Sequence, residues 1–369
     1  MVYNLGASGL GHWVRRLQAT LDDKGREIVL YKAVGTRSYA ERKDELVRYG
    51  IPNERYYPLE PGSPLPDDFF KDLDIVYVAS PNKFHKDQTL QALERDKVTV
   101  TEKTLATSRM DFEDVVTKIR MKKAESKVTI GLHYISKALT KEFGRMLPDL
   151  VKKYGLITRV SGTFFEETRD EDAKRTWLFK PENGGIAMDW IHPISIVSYT
   201  MGATRMTLKQ ARSYLVQPLY DEVYPTGFHV TYELVGEFFA ESSLADIRVS
   251  KGLEVAHKKL RVIFQRATVD LNYISTDEEF DTGLRGEIVI SSSEDKRVIS
   301  PSGPLSYEPM IDDMLRMVKG GSPTLSLDDI VKIYDPEWQL QEEINRIRPL
   351  RDKGSINQFI KEGLSHHTG

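Results

Sequence analysis

The first 131 residues alternate short apolar runs with longer segments of helical periodicity, and this alternation restricts the fold more than any other feature of the chain. The apolar runs with strand composition are Val2–Leu5, Ile28–Val34, Asp74–Ala79, Val98–Thr101 and Lys127–Gly131. Helical patterns occupy most of the intervals between them. Parallel strands require such crossover connections, whereas antiparallel strands are often joined by tight turns. The pattern therefore predicts a doubly wound parallel sheet with helices on both faces.

Beyond residue 128 the pattern changes to strand-like stretches separated by turns, after an extended region over residues 156–167. These stretches are Thr231–Phe239, Lys259–Phe264, Thr268–Ile274 and Gly286–Ser291. Strands without helices between them indicate a largely antiparallel sheet. Helical patterns lie at Lys137–Lys153, Ile186–Thr200, Tyr307–Lys319 and Leu327–Arg346. The sequence thus predicts two domains, an α/β domain over residues 1–128 and an α+β domain over residues 129–369.

Composition excludes several classes of protein and site. The 52 Lys and Arg residues are balanced by 55 Asp and Glu residues and are mixed along the chain, which argues against the basic face that nucleic-acid binding needs. The absence of Cys excludes disulfides, Cys-ligated metals and thiol nucleophiles. No apolar run reaches the ~18 residues of a membrane span. We expect a cytoplasmic protein with a small-molecule partner and no metal, since the only His pair at ligand spacing is His366-His367 in the tail.

A glycine-rich loop follows the first strand and opens the first helix. It reads Gly6-Ala7-Ser8-Gly9-Leu10-Gly11. On a G-x-G-x-x-G template Gly6 permits the tight turn and Gly11 lets helix and strand approach, while Ser8 departs from the pattern beside the flexible Gly9. The free N–H groups and positive dipole end of the helix would then meet a pyrophosphate. We predict that this loop, Leu10 included, binds a dinucleotide in a Rossmann domain; a plain strand-to-helix turn is the alternative.

The end of the second predicted strand indicates which dinucleotide binds. A carboxylate there would hold the ribose 2′-OH and repel a 2′-phosphate. This chain instead places Thr36, Arg37 and Ser38 at that point. Two hydroxyls and a guanidinium suit a phosphate dianion, which predicts NADP, with NAD as the alternative cofactor. Arg37 as a solvated loop residue is the other interpretation.

Three later segments carry a resemblance to a known family. They read Ala79-Ser80-Pro81-Asn82-Lys83-Phe84-His85, Val100-Thr101-Glu102-Lys103-Thr104 and Gly184-Gly185-Ile186-Ala187-Met188-Asp189-Trp190-Ile191-His192. The first two end predicted parallel strands, where open α/β sheets bind ligands. They are similar to the T-P-N-x-x-H and E-K-P segments of the glucose–fructose oxidoreductase / inositol dehydrogenase (Gfo/Idh/MocA) family, and the third resembles its G-G-x-x-x-D-x-x-x-H helix. The resemblance extends over essentially the whole chain.

The resemblance implies roles for these residues. Lys103 would lie between nicotinamide and substrate, Glu102 by the nicotinamide ribose, and Asp189 and His192 opposite the sugar carbon that is oxidised. The loop after the predicted strand Asp74–Ala79 would contact the cofactor through Ser80, Pro81, Asn82 and His85. Two departures affect the geometry. Thr104 stands where the family has Pro, and Asp189 and His192 are three residues apart rather than four, which still leaves them on one helix face.

Oxidation of an alcohol carbon needs a base for the hydroxyl proton while hydride leaves. His192 has a suitable ordinary pKa near 6.5, Asp189 can stabilise the imidazolium, and Lys103 can polarise the oxygen. The structural alternatives are a helical His with satisfied hydrogen bonds, a capping Asp and a surface Lys.

A second resemblance concerns the substrate. His133, Tyr134 and Lys137 match the H-Y-x-G-K segment of glucose-6-phosphate dehydrogenases, whose His, Tyr and Lys hold the substrate phosphate, although Ser136 replaces its Gly. The alternative places Tyr134 in the core and Lys137 in solvent. Trp177 is predicted to stack on the sugar or to be a core aromatic residue.

Together these features predict an NADP-dependent oxidoreductase that acts on a hexose or hexose phosphate, with glucose 6-phosphate as the first candidate. A non-catalytic dinucleotide- or sugar-sensing relative and a dehydrogenase of unphosphorylated polyols are the alternatives. The family resemblance also implies a homodimer or homotetramer.

Overall fold

The computed structural model describes residues 1–23, 27–167, 187–216, 226–253, 256–344 and 346–365. The chain forms two compact units. The first unit consists of Met1–Leu132 and Tyr307–Val331, and the second of His133–Ser306 and Lys332–Gly369. The predicted boundary at residue 128 therefore falls four residues short of the observed one. The assignment of residues 307–331 to the second domain needs correction, because this segment returns to the first unit.

The first unit contains a six-stranded sheet in the order β3-β2-β1-β4-β5-β6. Its strands are β1 Tyr3–Ser8, β2 Ile28–Gly35, β3 Tyr56–Pro58, β4 Ile75–Val78, β5 Val98–Glu102 and β6 Val128–Gly131. All the pairings are parallel, and this strand order is that of the Rossmann fold. The prediction missed β3, because three residues are too few to produce a strand pattern.

The second unit contains an eight-stranded sheet in the order β14-β13-β12-β11-β7-β10-β9-β8. Its strands are β7 Ile157–Glu167, β8 Ala203–Tyr214, β9 Gly227–Gly236, β10 Phe239–Leu253, β11 His257–Phe264, β12 Ala267–Tyr273, β13 Glu287–Ser292 and β14 Lys296–Ile299. β10 pairs with β7 in parallel, and the other described pairs are antiparallel. The predicted fold class is confirmed.

The described residues of both units also form helices. They are α1 His12–Asp23, α2 Lys43–Arg48, α3 Asp67–Phe70, α4 His85–Glu94, α5 Arg109–Met121, α6 His133–Ser136, α7 Ala138–Tyr154, α8 Ala187–Ser195, α9 Thr276–Thr282, α10 Glu308–Val318, α11 Leu327–Ile344 and α12 Lys353–Ser365. A π-helical turn, Ile196–Thr200, continues α8. None of these helices combines the length and apolar composition that a membrane crossing requires.

Packing explains why the segment after residue 306 belongs to the first unit. Helix α10 packs against β5, and the ring of Tyr307 stacks on that of Trp13 with centroids 6.2 Å apart. The sequence pattern shows an amphipathic helix here but contains no information on which sheet it covers, because the partner lies some 200 residues earlier in the chain.

Alternation along the strands of the second sheet separates two faces. In β11, Leu260 and Val262 have no exposed surface, and each contributes about 1.5–3 kcal/mol through burial. Lys258 shares this inner face because it stands two residues before Leu260. Lys259 points to the outer face, where its ammonium pairs with Asp270 at 2.8 Å.

Candidate active site

The glycine-rich loop of the first unit lies between β1 and α1, but its glycines have different roles from those predicted. Gly9 has φ +93°, and a Cβ at this position would lie 2.6 Å from the carbonyl oxygen of Ala79. Gly6 lies inside β1, where a Cβ would collide with Leu73, and Gly11 faces open space. The predicted turn role of Gly6 and packing role of Gly11 are wrong, because β1 continues to Ser8. Gly9 is the residue that the turn requires.

Buried Gln88 connects this loop to the loop that follows β4. The Ser8 hydroxyl donates to Gln88 Oε1 at 2.8 Å, and the Ser80 hydroxyl donates to the same oxygen at 2.7 Å. Ser8 is only 1% exposed. Both predicted cofactor residues therefore hold the loops after β1 and β4 together, through a side chain on α4 that the sequence analysis missed.

The segment after β2 is exposed and partly held by hydrogen bonds. Thr36, Arg37 and Ser38 are all exposed, and the Tyr56 hydroxyl donates to the Arg37 carbonyl oxygen at 2.6 Å. Ser38 donates its N–H and hydroxyl to Glu41, which lowers the pKa of that carboxyl. The Ser38 hydroxyl is thus already engaged, and the contact of Arg37 with a 2′-phosphate stays a prediction.

The loops after β4 and β5 are joined by His85. Its ring is 1% exposed, with Nδ1 2.7 Å from the carbonyl oxygen of Thr104 and Nε2 2.7 Å from that of Ser80. Burial lowers the pKa of His85. Because each ring nitrogen lies beside a backbone carbonyl oxygen, His85 holds these two loops together, and its contact with a cofactor stays a prediction. Pro81 and Asn82, also predicted, are half-buried in the same loop.

Glu102 and Lys103 stand at the carboxyl end of β5. The Tyr77 hydroxyl donates to Glu102 Oε1, and Tyr307 also lowers the pKa of this carboxyl group. Burial raises the pKa of Glu102 to about 7, although the Tyr77 hydrogen bond, the Lys103 ammonium and Tyr307 oppose the rise. Thr104, which replaces the family's Pro, is fully buried and donates its hydroxyl to the Ala106 carbonyl oxygen at 2.9 Å. Tyr77 and Tyr307 were not predicted, since a Tyr in a buried apolar run gives no sign of its hydroxyl partner.

The raised pKa of Glu102 predicts a pH-dependent stability. Between pH 4.5, the ordinary pKa, and about pH 7 the unfolded chain releases a proton that the folded chain keeps, so stability falls as pH rises. The fall is roughly 2–3 kcal/mol between pH 5 and 7.5. Glu102→Gln keeps an oxygen for the Tyr77 hydroxyl and loses this dependence. Urea unfolding of the wild-type protein and of Glu102→Gln at both pH values measures this fall. If the two proteins differ in unfolding free energy by the same amount at both pH values, the pKa of Glu102 is not raised.

The second unit brings four of the predicted residues together. The His192 ring centroid, on α8, lies 4.7 Å from that of His133 and 4.5 Å from that of Tyr134, both on α6. Asp189 lies one turn before His192, and each is 5% exposed. Trp177 lies outside the described residues, as does the start of the third motif, residues 184–186.

Three charged residues that were not predicted complete this cluster. They stand on adjacent strands of the inner sheet face: Glu166 on β7, Lys251 on β10 and Lys258 on β11. Lys251 Nζ lies 2.7 Å from Asp189 Oδ2 and 3.4 Å from Glu166, and Lys258 Nζ lies 2.8 Å from Glu166 Oε1. The Lys258 ammonium also lies 5.7 Å from the centroid of the Tyr134 ring. These residues come together because the register of β10 and β7 places Lys251 opposite Glu166. The sequence alone does not show this register.

Burial and these ion pairs set the protonation of the cluster. Burial alone would lower the pKa of Lys258, but Glu166 and Tyr134 raise it above its usual range. Burial raises the pKa of Tyr134, with Lys258 opposing. The cluster therefore contains an ammonium and a neutral phenol at neutral pH.

Lys137 is held elsewhere in the second unit. It is 2% exposed, and its ammonium pairs with the Glu279 carboxylate, which also accepts the Ser306 N–H at 3.1 Å. Burial lowers the pKa of Lys137, and Glu279 opposes the change. The predicted phosphate cradle of His133, Tyr134 and Lys137 is thus corrected: its cation is already neutralised, while His133 and Tyr134 pack on His192. Within the described ranges no group of three His, Asp or Glu side chains could hold a metal ion.

Comparison with known proteins agrees with this architecture. Residues 24–131 match the Gfo/Idh/MocA family model, described as an oxidoreductase family with an NAD-binding Rossmann fold. The chain has the Gfo/Idh/MocA fold. A search of curated protein sequences gave no match.

Solved structures share the fold over nearly the whole chain. An aldose-aldose oxidoreductase from Caulobacter crescentus, complexed with glycerol, is 18% identical with a TM-score of 0.74, covering 94% of this chain and 97% of its own. A 3-ketoreductase from Actinomadura kijaniata, in complex with NADP and TDP-benzene, is 15% identical with a TM-score of 0.75, covering 95% and 100%. A UDP-N-acetylglucosamine 3-dehydrogenase from Acidithiobacillus ferrooxidans is 10% identical with a TM-score of 0.68, covering 93% and 97%. At these identities the likeness shows the fold. Nothing in these comparisons supports the resemblance to glucose-6-phosphate dehydrogenases.

Proposed function

We propose that the chain is an NADP-dependent oxidoreductase of the Gfo/Idh/MocA family that transfers a hydride between an alcohol carbon of a sugar and the nicotinamide. The observation that carries the proposal is the buried α8 face with Asp189 and His192, one turn apart and surrounded by ionisable partners. A sensing protein needs no buried proton acceptor, so this observation favours an enzyme over the non-catalytic alternative.

The residues of the first unit fit a dinucleotide. The backbone at Gly9 lies too close to Ala79, just after β4, to leave room for a side chain. The N-terminus of α1 follows Gly9 in the chain. This is the arrangement in which backbone N–H groups and a helix dipole receive a pyrophosphate. Glu102 and Lys103 stand at the same edge of the sheet, where ligands of doubly wound folds bind.

Bound nicotinamide would supply the hydride acceptor, and the chain's own side chains would handle the proton. In this proposal His192 takes the substrate hydroxyl proton and Asp189 stabilises the imidazolium. Lys103 polarises the substrate oxygen. The reverse reaction uses the same groups with the proton returned from His192.

The charges of the second unit favour a neutral sugar or polyol. Lys251, Lys258 and Lys137 are each paired with a carboxylate, so none of these three offers an unmatched cation to a phosphate dianion. Glucose 6-phosphate therefore rests on the sequence resemblance alone. The Caulobacter crescentus protein of similar fold is an aldose-aldose oxidoreductase and the Acidithiobacillus ferrooxidans protein a UDP-N-acetylglucosamine 3-dehydrogenase, which supports a sugar substrate class.

The experiment that tests this function follows NADPH formation over a panel of free aldoses, polyols and their 6-phosphates, with NAD in parallel. We expect turnover of a free sugar or polyol with NADP. Turnover confined to 6-phosphates would contradict the neutral substrate, and tight NADP binding without turnover of any panel member would favour the sensing protein.

The assignment of NADP predicts a specific effect of Arg37→Asp. Loss of a charge-assisted hydrogen bond of about 1.5–3 kcal/mol should raise the KM for NADP roughly 10- to 100-fold, with a much smaller change for NAD. Steady-state kinetics with both cofactors measures it. Lys43→Asp, an exposed charge change on α2, is the matched control. Equal effects on the two cofactors would show that Arg37 is a solvated loop residue.

A further inference from the structure

The inner face of the second sheet changes from apolar to charged side chains at one end. Along β7, β10 and β11 this face is apolar until Glu166, Lys251 and Lys258, which end it with two ammonium groups and a carboxylate. All three side chains are half-buried, and charges removed from water are costly unless they are paired. A chain that needed only packing would continue the apolar pattern. What these three side chains contact therefore decides what they do.

The contacts form a continuous path around the α8 face. Lys251 bridges Asp189 and Glu166, and Lys258 pairs with Glu166 and lies 5.7 Å from the centroid of the Tyr134 ring. The Tyr134 ring in turn lies against the His192 ring. Each end of the path thus reaches one member of the Asp189–His192 pair, although the three charged residues come from three different strands.

We propose that Lys251 is a positioning residue for Asp189 and His192, held in place by Glu166 and, through it, by Lys258. The inference rests on the proposed function, in which His192 accepts the proton. The Lys251 ammonium pairs with Asp189 Oδ2 at 2.7 Å, which restricts the orientation of that carboxylate. Its second bond to Glu166 prevents the long side chain from moving away.

The charges around His192 give the direction of the expected effect. Asp189 lies on its own helix, His133 and Tyr134 on α6, Glu166 on β7, Lys251 on β10 and Lys258 on β11. The two ammonium groups balance the two carboxylates. Removal of Lys251 leaves an excess negative charge beside His192, which favours the imidazolium, so less of the free imidazole is present to accept a proton near neutral pH.

The test compares Lys251→Met with Lys251→Arg, which keeps the charge, and with Lys259→Met as the matched control. Lys259 stands on the outer face of the same sheet and pairs with Asp270. The first readout is an NMR titration of the His192 ring, assigned by loss of its signal in His192→Asn. We expect Lys251→Met to raise the measured pKa of His192 by about 0.5 unit or more, and the other two variants to leave it near the wild-type value.

The second readout is the pH profile of kcat. We expect Lys251→Met to lower kcat about tenfold at neutral pH and to move the acid limb upward, with recovery in Lys251→Arg and an unchanged KM for the dinucleotide. An unchanged His192 titration in Lys251→Met would overturn the proposal, as would a shift of equal size in Lys259→Met. Because the titration needs no substrate, a shift without turnover of any sugar would contradict the proposed function and leave the coupling of Lys251 to His192 established.

Discussion

Replacement of His192 by Asn should lower kcat by about 10²–10⁴ while the Kd of the dinucleotide stays unchanged. General base catalysis contributes a factor of this size, and an amide cannot take up the hydroxyl proton. The dinucleotide loop belongs to the first unit, and the variant changes no residue of that unit. Single-turnover formation of NADPH measures the first effect, and titration of protein fluorescence with NADP measures the second.

The matched control for this prediction is His257→Asn. His257 stands on β11 next to Lys258 but points to the outer sheet face, so its replacement should leave kcat near the wild-type value. A His192→Asn enzyme with wild-type kcat would exclude His192 as the proton acceptor. The same result would leave the dinucleotide assignment intact, since that assignment depends on Gly9 and Arg37.

Lys137→Met should destabilise the second unit by about 3–5 kcal/mol, because it leaves the Glu279 carboxylate buried without its cation. The loss should be smaller at pH 5 than at pH 8, since an unpaired buried carboxyl group takes up a proton instead. Denaturant unfolding at both pH values measures this. Lys137→Met with Glu279→Gln should recover most of the lost stability, because the double variant contains no unpaired charge.

This prediction also separates two interpretations of the H-Y-x-x-K segment. If Lys137 held a substrate phosphate, Lys137→Met would raise the KM for a 6-phosphorylated sugar and leave stability nearly unchanged. A stability change below about 1 kcal/mol would therefore contradict the buried pair. It would also return the phosphate cradle to consideration.

Local patterns predicted the elements of the first unit well. The alternation of apolar runs and helices identified five of its six strands, since strand and helix periodicities are properties of contiguous residues. The short β3 gave no such signal. In the second unit, helix α12 was not predicted because its composition is polar, although its Phe359 packs against Phe165 and Tyr214. Fold class followed from the pattern, but the return of residues 307–331 to the first unit did not.

Predictions at the candidate site divide in the same way. Asp189 and His192 were predicted from the family resemblance, and their spacing correctly placed them one turn apart on one helix. Glu166, Lys251 and Lys258 were missed because their relation is a register between strands, and a lone Lys in a strand pattern resembles a solvated residue. The glycine template misassigned Gly6 and Gly11, since which glycine makes the turn depends on where β1 ends.

The sequence by itself determined the parallel sheet of the first unit, the largely antiparallel second sheet, and the motifs at the strand ends and on α8. These depend on periodicity and on short spacings, which each segment carries within itself. Only the tertiary structure decided which charges are free to act. Lys137 pairs with Glu279, 142 residues away, and Lys251 with Asp189, from a strand beyond the helix. Because a buried charge is governed by the partner that folding brings to it, its role becomes definite only when the packed neighbours are known.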